Sequence, residues 1–93
     1  MTLELNIQNE FENSAEILGI ISMQTRLKIL QLINNGKDYT VKDVADKLHV
    51  GLSNISQQIQ KLVDGGLVSK IKLKDGSRGK IIKPLWKELR IIL

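Results

Sequence analysis

The sequence predicts a small α+β domain, mostly helical, in which four helices precede a basic β-hairpin and a fifth helix ends the chain. Two observations predict this order. Apolar residues recur at helical spacing in four segments before the Gly65-Gly66 pair, and they alternate with lysines after it. Pro84 then stands where a last helix can begin, because the first position of a helix needs no N–H donor. The 93 residues are expected to form one domain.

The composition excludes several classes of protein. Without cysteine, the chain has no disulfide, no thiolate metal site and no cysteine nucleophile. Its longest stretch without a polar residue, 17–21, is far too short to span a membrane. A single histidine, with no Gly-rich phosphate loop and no Ser-His-Asp set, argues against an enzyme and offers no cofactor site. We therefore expect a cytoplasmic protein that is not an enzyme.

The charges are distributed unevenly along the chain. Residues 1–20 carry four glutamates and no basic residue, whereas residues 66–93 carry six lysines and two arginines against one aspartate and one glutamate. Such asymmetry indicates that the C-terminal part meets an anion, although a solvated charged surface would have the same composition.

The first two helices have the less sharply defined ends. Residues 8–19 are expected to form the first helix. Its apolar residues at helical spacing are Phe11, Ala15 and Leu18. Upstream, three apolar residues alternate and could be extended: Leu3, Leu5 and Ile7. The second helix is expected to have Ser22 as its N-cap and to end before Gly36. Its expected buried stripe is Met23, Leu27, Leu30 and Ile33.

A short helix and a longer one follow, joined by a tight turn. Thr40 is expected to cap the short helix, with Asp43 at the position where a capping box carries its Glu or Gln. The inner face of the short helix is Val41, Val44, Ala45 and Leu48. The longer helix is expected to run from roughly Leu52 to Asp64. Its buried stripe is Leu52, Ile55, Ile59, Leu62 and Val63. This arrangement is typical of a helix-turn-helix unit.

The segment 67–74 has the alternation of a strand and is followed by a turn over 75–79. One side of the strand carries Leu67, Ile71 and Leu73, and the other carries Lys70, Lys72 and Lys74. Residues 80–83 are expected to return as the second strand. A basic hairpin directly after the longer helix makes the helix-turn-helix unit a winged one.

Three segments together resemble the ArsR/SmtB-type winged-helix repressors. Thr25-Arg26-Leu27-Lys28-Ile29-Leu30 is similar to the "TRLxIL" of their second helix, and the segment 41–48 to their "ELAxxL" helix. The stretch SNISQQIQKLVDGGLV at 53–68 is similar to their recognition helix and the start of their wing, "STVSxHLxxLxxAGLV". The resemblance covers residues 18–83 without insertion, although MarR-like and other winged helices share much of the pattern.

The resemblance does not extend to the metal sites of that family. Where many members carry a Cys-x-Cys pair, this sequence has Thr40 and Lys42, and its last segment has no histidine. His49, the single histidine, is expected to be a turn residue, because one imidazole without carboxylate or thiolate partners is not a metal site. We expect no metal.

If the longer helix lies in the major groove, its outward face reads the bases. A rotation of about 100° per residue from the buried stripe places Gln57 and Lys61 opposite the core. The expected DNA-binding residues are Ser53, Asn54, Ser56, Gln57, Gln58, Gln60 and Lys61, and the family resemblance points most to the first five. Asn and Gln side chains can pair with adenine through two hydrogen bonds. The alternative is a generic polar surface on an amphipathic helix.

The hairpin is expected to contact phosphates. Its DNA-binding residues are Lys70, Lys72, Lys74, Arg78 and Lys80. Arg78, between two glycines at the tip, suits insertion into a narrow minor groove. The alternative is an edge whose lysines only protect an exposed strand from aggregation.

The two terminal segments, 1–20 and 84–93, are expected to form a homodimer through helices that pack around a two-fold axis. The expected interface residues are Phe11, Leu18, Leu85, Trp86, Leu89, Ile92 and Leu93. Two recognition helices about one DNA turn apart would then match a palindromic site. Alternatively, Trp86 and its neighbours simply seal the core of the monomer.

These features predict a sequence-specific regulator of transcription that binds double-stranded DNA as a homodimer, with repression expected from the family it resembles. Two alternatives remain open. The domain could be a protein-interaction module, with weak and sequence-blind affinity for DNA. It could also be an architectural protein that coats DNA with a small specificity ratio.

Overall fold

The computed structural model describes residues 2–21, 23–72 and 79–92. In chain order its elements are β1 (Thr2–Asn6), α1 (Phe11–Ile21), α2 (Gln24–Ile33), β2 (Tyr39–Thr40), α3 (Val41–Leu48), α4 (Leu52–Asp64), β3 (Val68–Lys72), β4 (Lys80–Pro84) and β5 (Glu88–Ile92). β1 and β5 form a parallel pair, and a second sheet has the strand order β2-β4-β3. The winged helix-turn-helix predicted from the sequence is confirmed.

The helix-turn-helix unit is defined by local signals that the sequence carries. Thr40 accepts a hydrogen bond from the backbone N–H of Asp43 at 3.1 Å, and the Asp43 carboxylate accepts one from the N–H of Thr40 at 3.0 Å. This capping box begins α3. At the other end, His49 adopts a left-handed conformation with φ of 55°, which turns the chain toward α4. His49 is thus the turn residue that the sequence predicts.

The Thr40→Ala variant should lower the free energy of unfolding by about 1 kcal/mol, because it leaves the N–H of Asp43 in the first turn of α3 without its partner. Urea denaturation measures the change. Lys42→Ala is the control, since Lys42 is an exposed residue of the same turn and should change stability by less than about 0.5 kcal/mol. Equal stability of the two variants would contradict a role for the cap.

The core lies where α4 crosses the other helices and the three-stranded sheet. Its fully buried members include Ile29, Ile33, Val44, Ile55, Ile59, Leu62, Val68 and Ile82. Gly65 allows α4 to end close to α1, because a Cβ at this position would lie 2.6 Å from Cδ1 of Ile20. The aliphatic core therefore packs α4 against α1, α2 and the wing strands at once.

The first two helices are rotated relative to the faces predicted from the sequence. In α1, Phe11 and Ala15 are exposed, whereas Ser14 and Ile21 are buried. In α2, Ile29 takes the buried position predicted for Leu27, which is half exposed. The shift arises because each helix carries apolar residues on more than one side, so that packing against α4 decides which of them face inward. Met23, Leu52 and Ile71 are also exposed, although the sequence placed them among the apolar faces.

The C-terminal segment is a strand and not the predicted dimerisation helix. Pro84 ends β4 opposite Val68, and the N–H of Leu85 continues the pairing by donating to the carbonyl of Leu67 at 3.1 Å. β5 then pairs with β1 in parallel, from Thr2 opposite Glu88 to Asn6 opposite Ile92. Two factors favour this outcome. A helix of about ten residues is only marginally stable without tertiary contacts, and the consecutive isoleucines at 91 and 92 favour a strand.

Candidate nucleic-acid interface

One side of α4 forms a continuous exposed polar surface, which we call the reading face. Its residues are Ser53, Asn54, Ser56, Gln57, Gln60 and Lys61, and all six are exposed. The opposite side of the helix, with Ile55, Ile59 and Leu62, is buried in the core. The core therefore fixes the rotation of α4, and the polar side chains face outward as a consequence.

Gln58 does not belong to the reading face, contrary to the prediction from the sequence. The side chain is 8% exposed, and both ends of its amide are engaged. Its Oε1 accepts a hydrogen bond from Nε of Arg26 at 2.9 Å, and its Nε2 donates to Oδ1 of Asn54 at 3.0 Å. Gln58 lies at the boundary between the buried and the exposed side of α4, and the hydrogen bond from Arg26 holds it on the buried side.

Arg26 is a residue of this region that the sequence analysis missed. Besides Gln58, it binds the carbonyl oxygen of Ile20, to which Nη1 donates at 2.8 Å. Arg26 stands three residues before Ile29, which is fully buried in the structure. Because the sequence predicted Leu27 and not Ile29 as buried, helical spacing could not have identified Arg26.

The wing brings lysines next to the reading face. Lys70 is half-buried, and its Nζ donates to Oε1 of Gln60 at 3.0 Å, while Nε2 of Gln60 donates to Asp64 at 2.8 Å. Lys72 and Lys80 are exposed and stand directly opposite each other in the β3–β4 register. Like charges at paired positions destabilise a sheet, and a bound anion relieves their repulsion. The wing is therefore a cationic surface attached to the end of α4.

Several predicted site residues lie beyond this description. Lys74, Arg78 and Leu93 lie outside the described residues, as does Ser22, the expected N-cap of α2. Leu89 and Ile92 are described as backbone positions of β5 only.

The structure places the predicted interface residues in two different environments. Phe11 is 65% exposed at the start of α1, and Leu85 is 44% exposed. Leu18 and Trp86 instead pack against the core, and Nε1 of Trp86 donates to the carbonyl of Gly66 at 3.1 Å. Trp86 is partly buried and packs against the monomer core next to the C-terminal end of α4.

Among the described residues, no helix is both long and apolar enough to cross a bilayer. Within the same residues, no three side chains among His, Asp and Glu form a group that could hold a metal ion.

The sequence matches one family model, that of the bacterial regulatory proteins of the arsR family, over residues 23–70. The match contains α2, α3, α4 and the start of the wing. No curated protein matches the chain in sequence.

Several solved structures share this fold. The homodimeric winged helix-turn-helix DNA-binding domain of Mb0332 from Mycobacterium bovis, a possible ArsR-family regulator, has a TM-score of 0.70 at 20% identity, over 84% of this chain and 68% of that one. Reduced HlyU from Vibrio cholerae has a TM-score of 0.72 at 19% identity, over 84% and 78%. A MarR family protein from Bacillus stearothermophilus has a TM-score of 0.62 at 17% identity, over 80% and 54%.

The matched region and the fold lead to the same conclusion. The fold is that of a winged helix-turn-helix domain, and the matched family is one of bacterial regulatory proteins. The chain belongs to the arsR family of bacterial regulatory proteins.

Proposed function

We propose that this protein is a cytoplasmic, homodimeric regulator, expected to act as a repressor, that binds a palindromic site in double-stranded DNA. The reading face of α4 enters the major groove, and the wing lysines bind the phosphates beside it. The observation that carries the proposal is that uncharged polar side chains on α4 lie beside the basic wing, where Lys70 contacts Gln60. Side chains of the first kind can specify bases, and cations position the protein on the backbone.

The composition of the reading face argues against a merely solvated surface. Helix surfaces that only face water are normally built from Lys and Glu, whereas Ser53, Asn54, Ser56 and Gln57 are all uncharged hydrogen-bonding residues. The Lys72–Lys80 pair supports the same proposal, because it costs stability unless an anion is bound. A protein-interaction module would need neither feature.

Selection from a random pool of duplex DNA at near-physiological salt tests the proposal. Recovery of an inverted repeat with half-sites about one helical turn apart is the expected result. The Gln57→Ala variant should lose about 1–3 kcal/mol of discrimination at one position of each half-site. Binding without enrichment would favour the architectural alternative, and the absence of binding would favour a protein-interaction module.

We expect the dimer interface to involve α1. Of the two terminal segments predicted to form dimerisation helices, the N-terminal one contains a helix and the C-terminal one forms a strand. Phe11→Ala should raise the dimer dissociation constant by about fivefold or more, because an exposed aromatic anchor of an interface is worth more than about 1 kcal/mol. Sedimentation equilibrium measures this constant. Asn13→Ala, on an exposed position of the same helix, is the control. If Phe11→Ala dimerises like the parent protein, the interface lies elsewhere.

A further inference from the structure

Three polar side chains form a hydrogen-bonded series that ends on the reading face. Arg26 donates to Gln58, and Gln58 donates to Asn54, at 2.9 and 3.0 Å. Arg26 is anchored in turn by the carbonyl oxygen of Ile20 in the last turn of α1. The series therefore runs from the C-terminal end of α1, through the interior, to an exposed residue of α4.

The chemistry of arginine gives this series a direction. A guanidinium group has only donors, so the Gln58 atom that faces it must be the carbonyl oxygen. The amide nitrogen of Gln58 then faces Asn54, and Asn54 must direct its own carbonyl oxygen toward Gln58. The NH₂ group of Asn54 is consequently turned away from Gln58, on the exposed side chain.

Burial keeps this direction fixed. Gln58 is 8% exposed, so a reversed amide would place its NH₂ group against the donors of Arg26, which cannot accept a hydrogen bond. A buried polar group without a partner is strongly disfavoured. Arg26 cannot easily turn away, because its other contact is to Ile20, which the end of α4 packs against at Gly65.

We propose that Arg26 and Gln58 are positioning residues that make Asn54 present its NH₂ group to DNA. This inference rests on the proposed function of the reading face. Presented in this way, Asn54 donates a hydrogen bond to an acceptor on the major-groove edge of a base. Guanine offers O6 and N7, thymine offers O4 and adenine offers N7, whereas cytosine presents its N4 amino donor. Cytosine should therefore be the disfavoured base at the position that Asn54 contacts.

The Gln58→Glu variant provides the sharpest test, because it should reverse the preference. A carboxylate still accepts from Arg26 but cannot donate to Asn54, so Asn54 must turn its NH₂ group inward and its oxygen outward. Competition binding with sites varied at each position measures the outcome. The base that Asn54 contacts is identified as the position of the DNA site at which Asn54→Ala abolishes base preference. At that position, the parent protein should bind sites with cytosine about fivefold or more weakly than sites with another base. Gln58→Glu should instead prefer cytosine or adenine, because their amino groups can donate to the outward oxygen of Asn54.

Arg26→Met provides a second variant in case Gln58→Glu does not fold. It keeps an unbranched side chain but removes the donors, so Asn54 should lose its fixed orientation and most of its preference. Lys28→Met controls for the lost charge on the same helix and should leave the preference unchanged. In the free protein, slow solvent exchange of the Gln58 NH₂ protons, measured by NMR, should be lost in Arg26→Met.

The outcomes separate this inference from the proposed function. A parent protein without base preference at any position overturns both. Preference that depends on Gln57, with none that depends on Asn54, overturns the inference alone. The inference is also overturned if Gln58→Glu keeps the parental preference, or if Arg26→Met weakens binding to all sites equally.

Discussion

If the proposed dimer binds DNA, its affinity should fall by about 10³-fold when salt is raised from roughly 50 to 200 mM. The described wing strands of each protomer carry four lysines, of which Lys83 is paired with Asp38. The other three are Lys70, Lys72 and Lys80, so that a dimer brings six. Every phosphate that a lysine neutralises releases condensed counterions, and added salt opposes that release. Six such contacts are at the lower end of the range that gives an effect of this size.

The Lys72→Ala variant shows whether the wing is responsible. It should weaken binding to all sequences by a similar factor and reduce the logarithmic salt slope by about one for each protomer. Fluorescence anisotropy with a labelled duplex at several salt concentrations measures the slope. Lys28→Ala, on α2, is the matched control and should leave the slope unchanged. A slope that does not differ between the two variants would mean that the phosphates are bound by other residues.

The helix-turn-helix unit could be predicted from the sequence because its signals are local. Thr40 and Asp43 define the start of α3 within four residues, and Gly65-Gly66 ends α4 within two. The C-terminal strand could not be predicted in this way. Its partner, β1, lies at the other end of the chain, with Thr2 opposite Glu88. Only the folded structure brings the two segments together, and the ten residues from Pro84 onward carry no decisive local signal.

The reading face could likewise be predicted, apart from one residue. Once Ile55, Ile59 and Leu62 are recognised as buried, the rotation of α4 follows, and the exposure of Gln57 and Lys61 with it. Gln58 lies near the boundary between the two sides, where periodicity alone does not decide. Its placement depends on Arg26, a partner 32 residues away in sequence. Hydrogen bonds between distant side chains are set by tertiary packing, which a helical wheel does not contain.

Replacing Ile59 by alanine should lower the free energy of unfolding by about 2–5 kcal/mol, because it removes buried methyl and methylene groups and leaves a cavity. Ile59 is fully buried at the centre of the core that sets the rotation of α4. Since small domains are stable by only about 5–15 kcal/mol, this change should lower the melting temperature strongly. Chemical denaturation followed by circular dichroism measures it.

Leu52→Ala is the matched control, because Leu52 lies on the same helix and the sequence predicted it to belong to the same buried stripe as Ile59. The structure separates the two positions, because Leu52 is 53% exposed. Leu52→Ala should therefore change stability by less than about 0.5 kcal/mol. A comparable loss in both variants would mean that α4 is rotated from the orientation described. The assignment of residues to the reading face would then be wrong as well, because the burial of Ile59 and the exposure of Gln57 depend on the same rotation of α4.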